Sequence, residues 1–576
     1  MTADRGTMAE YLSPGVYVEE FESGGKPMEG VGTSTAGFVG LAERGPVGGV
    51  PVLVTNFSDF RRKFGGYLSE AEFGKNRFLS YAVEHFFLNG GARAFISRVA
   101  PADAKAAEGG VPADSPAISF SAANAGAWGN DIKIIITPAS KAKTQILEQI
   151  EGAKYKVKKS VGFEAGDVVA LESESGKSYN KVVKSQDNVI EFESEFEGDC
   201  IDTSLVPSIT ISTCEFNIEV LYDDIDEFYS EVSFNVASSG YITNKTAKSA
   251  LITAEVASVP EGDPFAALAG EEALVSVELK GGSNGTNGAV TPDTFMGTDK
   301  GPGKRTGIQA FLDNEVVSIM AVPGVTDPNV QLTLVAHCEN LASRFAVLDM
   351  PEELLATDEI LTHRNIVDST YAAMYHPWLT VFDPLDKKNI NIPPSGSVIG
   401  IYARSDNTKG VHKAPANEVV RGCVGLSVPF NKGEQDILNP KGVNLIRSFP
   451  GQGIRVWGAR TATSDPSWKY VNVRRLFIFL EESIKANTNW VVFEPNDERL
   501  WARVKRTIDG FLRDMWRNGA LMGSSEAEAF FCNIGPSTMS QDDINNGRLI
   551  CVIGVAPVKP AEFVIFRITQ NTGSAE

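Results

Sequence analysis

Histidine and cysteine are scarce in this chain: its 576 residues hold five of the first and six of the second. The histidines (His85, His337, His363, His376, His412) lie far apart and form neither H-E-x-x-H nor H-x-x-E-H, so the sequence offers no zinc site. The cysteines (Cys200, Cys214, Cys338, Cys423, Cys532, Cys551) never fall at C-x-x-C spacing, which argues against a zinc ribbon or a redox dithiol. Scattered thiols in a large chain fit a reducing compartment during assembly, with Cys200–Cys214 pairing as the lesser alternative in an oxidising one. The one G-x-S-x-G run, Gly281-Gly282-Ser283-Asn284-Gly285, lies in a Gly/Asn-rich linker and not on a strand-to-helix elbow, and Gly32-Thr33-Ser34-Thr35-Ala36 lacks the final glycine. The loop 297–305 has glycines like those of a phosphate loop, but its spacing is wrong and Arg305 stands where a Ser or Thr would hold magnesium. The acidic run 223–227 lacks the spacing of a calcium loop and reads as a solvated turn. No catalytic residue, cofactor or metal is expected, and a chain of this size without them is expected to be structural rather than an enzyme.

Long apolar runs are missing too. The longest, such as 549–558, reach about half the length a membrane helix needs. No apolar segment of a secretion signal follows Met1-Thr2-Ala3-Asp4-Arg5-Gly6. A soluble protein with no direct membrane insertion is expected. Basic charge is also in deficit: the net charge of −20 argues against wholesale nucleic-acid binding, which needs a positive field to displace counterions. That deficit is uneven. Residues 141–230 hold 19 acidic residues against 9 Lys and no Arg, whereas 441–517 hold 14 basic against 8 acidic. An arginine-rich region in an acidic chain points to a specific acidic partner.

What is present is an α+β / α/β multidomain pattern. An N-terminal arm and linker cover 1–32. A central α/β domain is assembled from 33–100 and 290–440. In it, 35–41, 316–322 and 345–349 read as buried strands, and 57–64, 78–88 and 331–344 read as helices. Between its halves lies an inserted, acidic, β-rich outer domain, 101–289, entered by an Ala/Gly/Pro-rich linker (101–116) and left by a Gly/Asn-rich one (281–288). In 190–197, Ile190, Phe192 and Phe196 alternate with Glu191, Glu193, Glu195 and Glu197, the period of a half-buried strand. A C-terminal domain, 441–556, carries helices over 473–487 and 497–518, and a C-terminal arm covers 557–576.

Both arms contain a strand with no partner nearby in sequence. The first includes Val16, Tyr17, Val18, Glu19 and Phe21; the second includes Phe563, Val564, Ile565, Phe566 and Ile568. Chain ends of such composition seek a ladder. Two destinations are open: their own domain, or the edge of a sheet in another subunit. The helix 497–518 adds a second feature. At 100° per residue, Leu500, Trp501, Val504, Ile508, Phe511, Leu512 and Met515 share one face. Arg499, Arg503, Arg506, Arg513 and Arg517 fall within an arc of roughly 80° on the other. Solvated helix faces mix both signs, but this one is nearly all Arg, suited to bidentate pairing with carboxylates.

The run Asp368-Ser369-Thr370-Tyr371-Ala372-Ala373-Met374-Tyr375-His376-Pro377-Trp378, leading to Phe382-Asp383-Pro384, resembles the sheath proteins of contractile bacteriophage tails and related injection machines. So do Ser13-Pro14-Gly15-Val16-Tyr17-Val18-Glu19-Glu20, Trp128-Gly129-Asn130, and Arg344-Phe345-Ala346-Val347-Leu348-Asp349-Met350-Pro351. Pro393-Pro394-Ser395-Gly396, Ala414-Pro415-Ala416-Asn417, Val456-Trp457-Gly458-Ala459-Arg460-Thr461 and Tyr470-Val471-Asn472-Val473-Arg474-Arg475 match as well. The likeness covers most of the chain and is weakest over 139–270. It departs at Asn284-Gly285, where the family usually has Asp-Gly.

The resemblance implies a homo-oligomer of six-membered rings stacked into a helix around an inner tube protein, meeting baseplate and tail-terminator or cap proteins at its ends. It implies arms that donate the strands 16–21 and 563–568 to neighbouring subunits, and contraction from a high-energy extended state without fuel. The place implied is a virion tail or phage-tail-like particle, assembled in the bacterial cytoplasm. The Arg stripe of 497–518 is the candidate inner-tube contact, by charge and position. An adhesive role for the outer β domain is the alternative kept beside this reading.

Overall fold

The computed structural model describes residues 28–112, 114–173, 176–196, 209–563 and 565. They form two compact units. The larger comprises Gly32–Phe479 and Lys559–Glu576; the smaller comprises Met1–Val31 and Leu480–Val558.

The larger unit is organised on a nine-stranded sheet. Its order is Val52–Val54, Ala94–Val99, Ala36–Leu41, Ile319–Ala321, Phe345–Asp349, Ala372–His376, Val443–Phe449, Gly453–Val456 and Glu418–Val419. The six strands from Ala94–Val99 to Val443–Phe449 run parallel, and the edges are antiparallel. Parallel strands are buried on both faces, hence continuous apolar runs rather than alternation. Their side chains divide with period two between two cores. Phe38, Ile319, Phe345, Val347 and Tyr375 enter one, while Val39, Met320, Ala346, Leu348 and Met374 enter the other.

On the first face the helices Leu79–Leu88 and Ser395–Lys409 lie against each other. Gly396 and Gly400, one turn apart, allow the approach. A Cβ on Gly396 would stand 2.3 Å from the carbonyl oxygen of Ala82, and one on Gly400 would stand 2.5 Å from that of Phe86. The helix Ser395–Lys409 is fixed at its start by Asp349, whose carboxylate accepts from Ser395 N (2.8 Å), Ser395 Oγ (2.7 Å) and Gly324 N (3.0 Å). The helix expected at 331–344 runs instead over Pro328–Leu341. Asp327 caps it, Pro328 takes the first turn, and Ala342 ends it in the left-handed region.

The insertion is β-rich. A three-stranded sheet (Ile252–Val256, Ile118–Ala122, Glu108–Val111) and a four-stranded sheet (Ile225–Val232, Glu215–Tyr222, Lys133–Ala139, Val275–Glu278) close over one core containing Phe120, Ile134, Ile136, Phe216 and Ile218. Six further strands close a barrel in the order Gly176–Gln186, Val189–Phe192, Lys154–Val157, Lys143–Glu151, Thr210–Thr213, Val168–Ser173. Ile190 and Phe192 point into it, as their alternation requires, while Glu193 and Glu195 are exposed. Lys141, at its base, pairs with Asp167 (2.8 Å) and Glu164 (3.0 Å).

The expected linkers carry more structure than their composition announces. Residues 101–116 include the strand Glu108–Val111, and Lys105 and Glu108 bridge to Ser283 and Lys280, so entry and exit are stitched together. Arg98 fixes the entrance: it donates to the carbonyls of Ala42 (2.9 Å), Gly45 (2.7 Å), Glu43 (3.1 Å) and Ala125 (2.8 Å).

The division between compact units falls inside the helix Val471–Thr488, whereas the sequence reading sets a boundary at 441. The strand Val443–Phe449 pairs in parallel with Ala372–His376, which binds this stretch to the large sheet.

In the smaller unit the helix Glu498–Arg517, capped by Asp497 accepting from Leu500 N at 2.8 Å, buries Leu500, Val504, Ile508, Phe511 and Leu512. Beside it is a two-stranded ribbon of Phe530–Ile534 and Cys551–Val555. Among the described residues no helix is long and apolar enough to cross a membrane.

Candidate functional site

Two features lie where the sequence expectations fall, the arm roots and the arginine helix, and a third, the ribbon, was not expected. Val16, Tyr17, Val18, Glu19, Phe21, Val564, Phe566 and Ile568 lie outside the described residues, as does Cys200. Of the C-terminal strand, Phe563 (73% exposed) and Ile565 (79%) are described, and both face solvent.

The residue before them is held firmly. Glu562 accepts from Arg460 through both carboxylate oxygens (Nε to Oε1 2.9 Å, Nη2 to Oε2 2.6 Å), from Asn439 Nδ2 (2.6 Å) and from Tyr470 OH (3.3 Å). Burial works to raise this carboxyl. Its hydrogen bonds from Arg460 and Asn439, with the Arg460 charge, outweigh that and hold it below the usual carboxylate range. At the other end, Thr33 Oγ1 donates to Asp406 (2.7 Å), and Arg475 donates both to the Thr33 carbonyl (2.9 Å) and to Asp406 (2.6 and 2.9 Å). Within the smaller unit, Val31 N donates to Ser483 Oγ (3.1 Å), and Asn487 Nδ2 donates to the Glu29 carbonyl (2.8 Å).

In the ribbon, Ala556 N bonds the Ala529 carbonyl (2.9 Å), and the register continues unbroken. By the alternation of an antiparallel ladder, the N–H and C=O groups of Cys551, Ile553 and Val555 turn away from the partner strand. Those of Cys532 also turn outward, and Lys505 Nζ donates to its carbonyl. Among the described residues neither outer edge is paired with a further strand. Phe530 and Cys532 are buried, while Phe531 and Val552 are exposed. Sequence reasoning noted 549–558 only as an apolar run and missed the ribbon; its signal was a second apolar segment at 530–534.

The arginines stand on the helix as expected. Arg499, Arg503, Arg506 and Arg517 are exposed and Arg513 is partly so. Two are already engaged: Arg503 pairs with Glu494 (2.9 Å) and covers the Trp490 ring, and Arg513 forms a two-pronged pair with Glu526 (2.6 and 3.1 Å). That pair, with Arg517 adding attraction, holds the Glu526 carboxyl below its ordinary range. Arg499 and Arg506 have no ion pair among the described residues.

The motifs weighed for chemistry settle into structural places. Arg305 is bound by Asp299 (2.8 Å) and by Asp313. Asp223 and Asp224 form the turn between two paired strands. Burial holds His85 and His376 down to about 4 and, with Arg344 beside it, His337 to about 3. Among the described residues no group of three His, Cys, Asp or Glu is placed to hold a metal ion.

Two family models match end to end: the phage tail sheath protein central domain over residues 300–462, and the phage tail sheath C-terminal domain over 463–571. A prophage major tail sheath protein of Pseudomonas aeruginosa strain UCBPP-PA14 is 26% identical over 300 residues, 49% of this chain and 75% of that protein. The tail sheath protein of Escherichia phage P2 is 23% identical over 291 residues, 48% of this chain and 71% of its own. The chain belongs to the contractile tail sheath family. It is a structural sheath subunit of the phage or phage-like kind. Its fold is shared with the sheath complex of the PVC extracellular contractile injection system in the contracted state (TM-score 0.52, 21% identity, 99% of this chain and 100% of that one). It is shared also with the Listeria innocua sheath tail protein Lin1278 (TM-score 0.51, 11% identity, 92% and 96%). The insertion lies wholly before the matched domains.

Proposed function

We propose that this sheath subunit polymerises as stacked six-membered rings around an inner tube, bound together by exchanged strands, and contracts from a metastable extended state to drive that tube through a target envelope. The observation that carries the reading is the bare ribbon Phe530–Ile534 and Cys551–Val555. A two-stranded sheet is marginal alone and its open edges invite pairing. The arms supply segments of the right composition, 16–21 and 563–568, and Phe563 and Ile565 hold their side chains in solvent. About five ladder bonds per donated strand, at about 1 kcal/mol net each, give a few kcal/mol per junction. Repeated head to tail, such a heterologous contact builds a helix. Of the tether 22–31, Glu29 and Val31 are hydrogen-bonded within the smaller unit, so the stretch free to reach a neighbour is 22–28, at most about 25 Å extended.

Arg499, Arg506 and Arg517, with Arg503 and Arg513 beside them, are the face offered to the inner tube, a shallow electrostatic contact that is surrendered as the sheath widens. The PVC sheath complex has been captured contracted, which supports the same cycle for this relative of like fold. Baseplate and terminator proteins would cap the ends.

The test is negative-stain electron microscopy of the full chain beside one lacking residues 1–21, each with and without the inner tube protein. Tubes or stacked rings from the full chain, lost on truncation, are expected. Equal assembly by both would overturn strand donation by the N-terminal arm.

A further inference from the structure

One side chain of an otherwise exposed tail is held fast. Glu562 is gripped by donors from Asn439, Arg460 and Tyr470, and Phe563 directly after it is exposed. The grip is itself braced. Arg460 N donates to Asn444 Oδ1 (2.7 Å), and Asn444 Nδ2 donates back to the Arg460 carbonyl (2.7 Å). Asn444 is fully buried in the strand Val443–Phe449 of the large sheet. Tyr470 directly precedes the helix Val471–Thr488, and Asn439 lies in the short turn before Gly442. Three side chains from separate segments therefore converge on one carboxylate, with a planar Arg fork meeting both of its oxygens, the geometry that gives charge-assisted pairs their direction as well as strength. The first residues of a chain end ordinarily fray unless tied down.

We propose that Asn439, Arg460 and Tyr470 form a carboxylate receptor whose occupant is Glu562, anchoring the root of the C-terminal arm on its own subunit so that the donated strand starts at a fixed point. The inference rests on the strand-donating reading and adds to it the residues that set the arm's free length. With the root held, an arm that reaches a neighbour has no slack before Phe563. With the root released, 559–562 contribute up to about 14 Å of extended chain, and the point of departure becomes indefinite.

Limited chymotrypsin digestion of the unassembled full-length chain tests the anchor, and electron microscopy of the assembled sheath tests its purpose. In Glu562→Ala the cut after Phe563, read by mass spectrometry, is expected at least tenfold faster than in the parent chain. Arg460→Lys keeps charge without the fork and should fall between the two. Asn439→Ala leaves the cleaved sequence unaltered and guards against a variant that fails for reasons of folding at Arg460. Assembled Glu562→Ala sheaths should lose regular subunit spacing. Unchanged cleavage in both Glu562→Ala and Asn439→Ala would overturn the anchor whatever the sheath does. Faster cleavage with undisturbed sheath order would overturn its role in setting arm length. Deletion of 563–576 with assembly intact would instead sink the strand-donating reading and leave the cleavage result standing, so the two failures are distinct.

Discussion

The two compact units close their surfaces in different ways. In the larger, a mainly parallel sheet is covered on both faces and buried charges find partners within the chain: Arg475 with Asp406, and Arg98 with four carbonyls. In the smaller, one helix lies beside a two-stranded ribbon that pairs with no further strand among the described residues, and Phe531, Val552, Val492 and Phe493 are left in solvent. The first buries its sheet within its own sequence; the second leaves apolar side chains exposed. Under the cycle proposed above the two would serve different ends, a body that does not deform and an edge that others share.

The sharpest way to break this contrast is to remove one aromatic ring from each unit. Phe38 is fully buried and meets Phe86 edge to face at 5.7 Å. Phe38→Ala should cost about 3–5 kcal/mol, through lost burial and the cavity left behind. Phe531 is half exposed. Phe531→Ala should cost less than about 1 kcal/mol in the unassembled chain and show its main effect on assembly. Hydrogen exchange in graded urea separates the units, which a single melting curve would merge. Equal losses in the two units would remove the distinction.

The larger unit was the more legible of the two in sequence. Strands such as Phe345–Asp349 are continuous apolar runs bounded by polar residues, and that pattern is local. The arginine helix was legible because its period is intrinsic to the helix. The barrel was not: alternation at Ile190 and Phe192 tells which side faces inward but not which strand lies alongside. The strand Val443–Phe449 could not be assigned to the large sheet, because its partner lies some seventy residues away. The anchor was missed for the same reason. Arg460, Tyr470 and Arg475 all sit within motifs that marked the family resemblance, yet nothing nearby announces Glu562 or Thr33 as their ligands. Pairings between distant polar groups leave no period to read.

Acid should divide the units next. All five histidines lie in the larger one. His85 and His376 are held at about 4 and His337 at about 3, all below their unfolded value of 6.5. Their contribution is present above pH 6.5 and is lost as pH falls toward 4, at a cost of order 3 kcal/mol for each. Asp349 runs the other way. Burial raises it to about 6, so its contribution is present below pH 3.8 and lost as pH rises through 6. Glu84 and Glu215, also raised by burial, oppose alongside it, while His363 and His412, also lowered by burial, join the other three histidines. Between pH 7 and pH 4.5 the larger unit should lose exchange protection before the smaller one does. His85→Gln, which keeps a polar group facing Ser397, should reduce the pH dependence. A smaller unit that opens first on acidification would reverse the expected order.

The smallest effect on folding belongs to the arginine stripe, and there the comparison turns from stability to contact. Arg513 is already committed to Glu526 and is 40% exposed, so Arg513→Ala should leave stability little changed, as the loss of an exposed pair does. Arg499 and Arg506 have no such commitment, and reversing both to Glu should change stability within about 0.5 kcal/mol. If these residues face the inner tube, the same double reversal should abolish co-assembly with the tube protein. The parent contact should also weaken steadily as salt shortens the screening length from about 10 Å toward 3 Å. Co-sedimentation across a salt series reads both effects. Binding indifferent to salt and to the reversal would place the tube contact elsewhere. Arg513→Ala, by contrast, should lower tube binding only to the extent that Arg513 gives up Glu526 to reach the tube, so a full loss in that variant alone would mean that the committed pair, not the unpaired arginines, forms the contact.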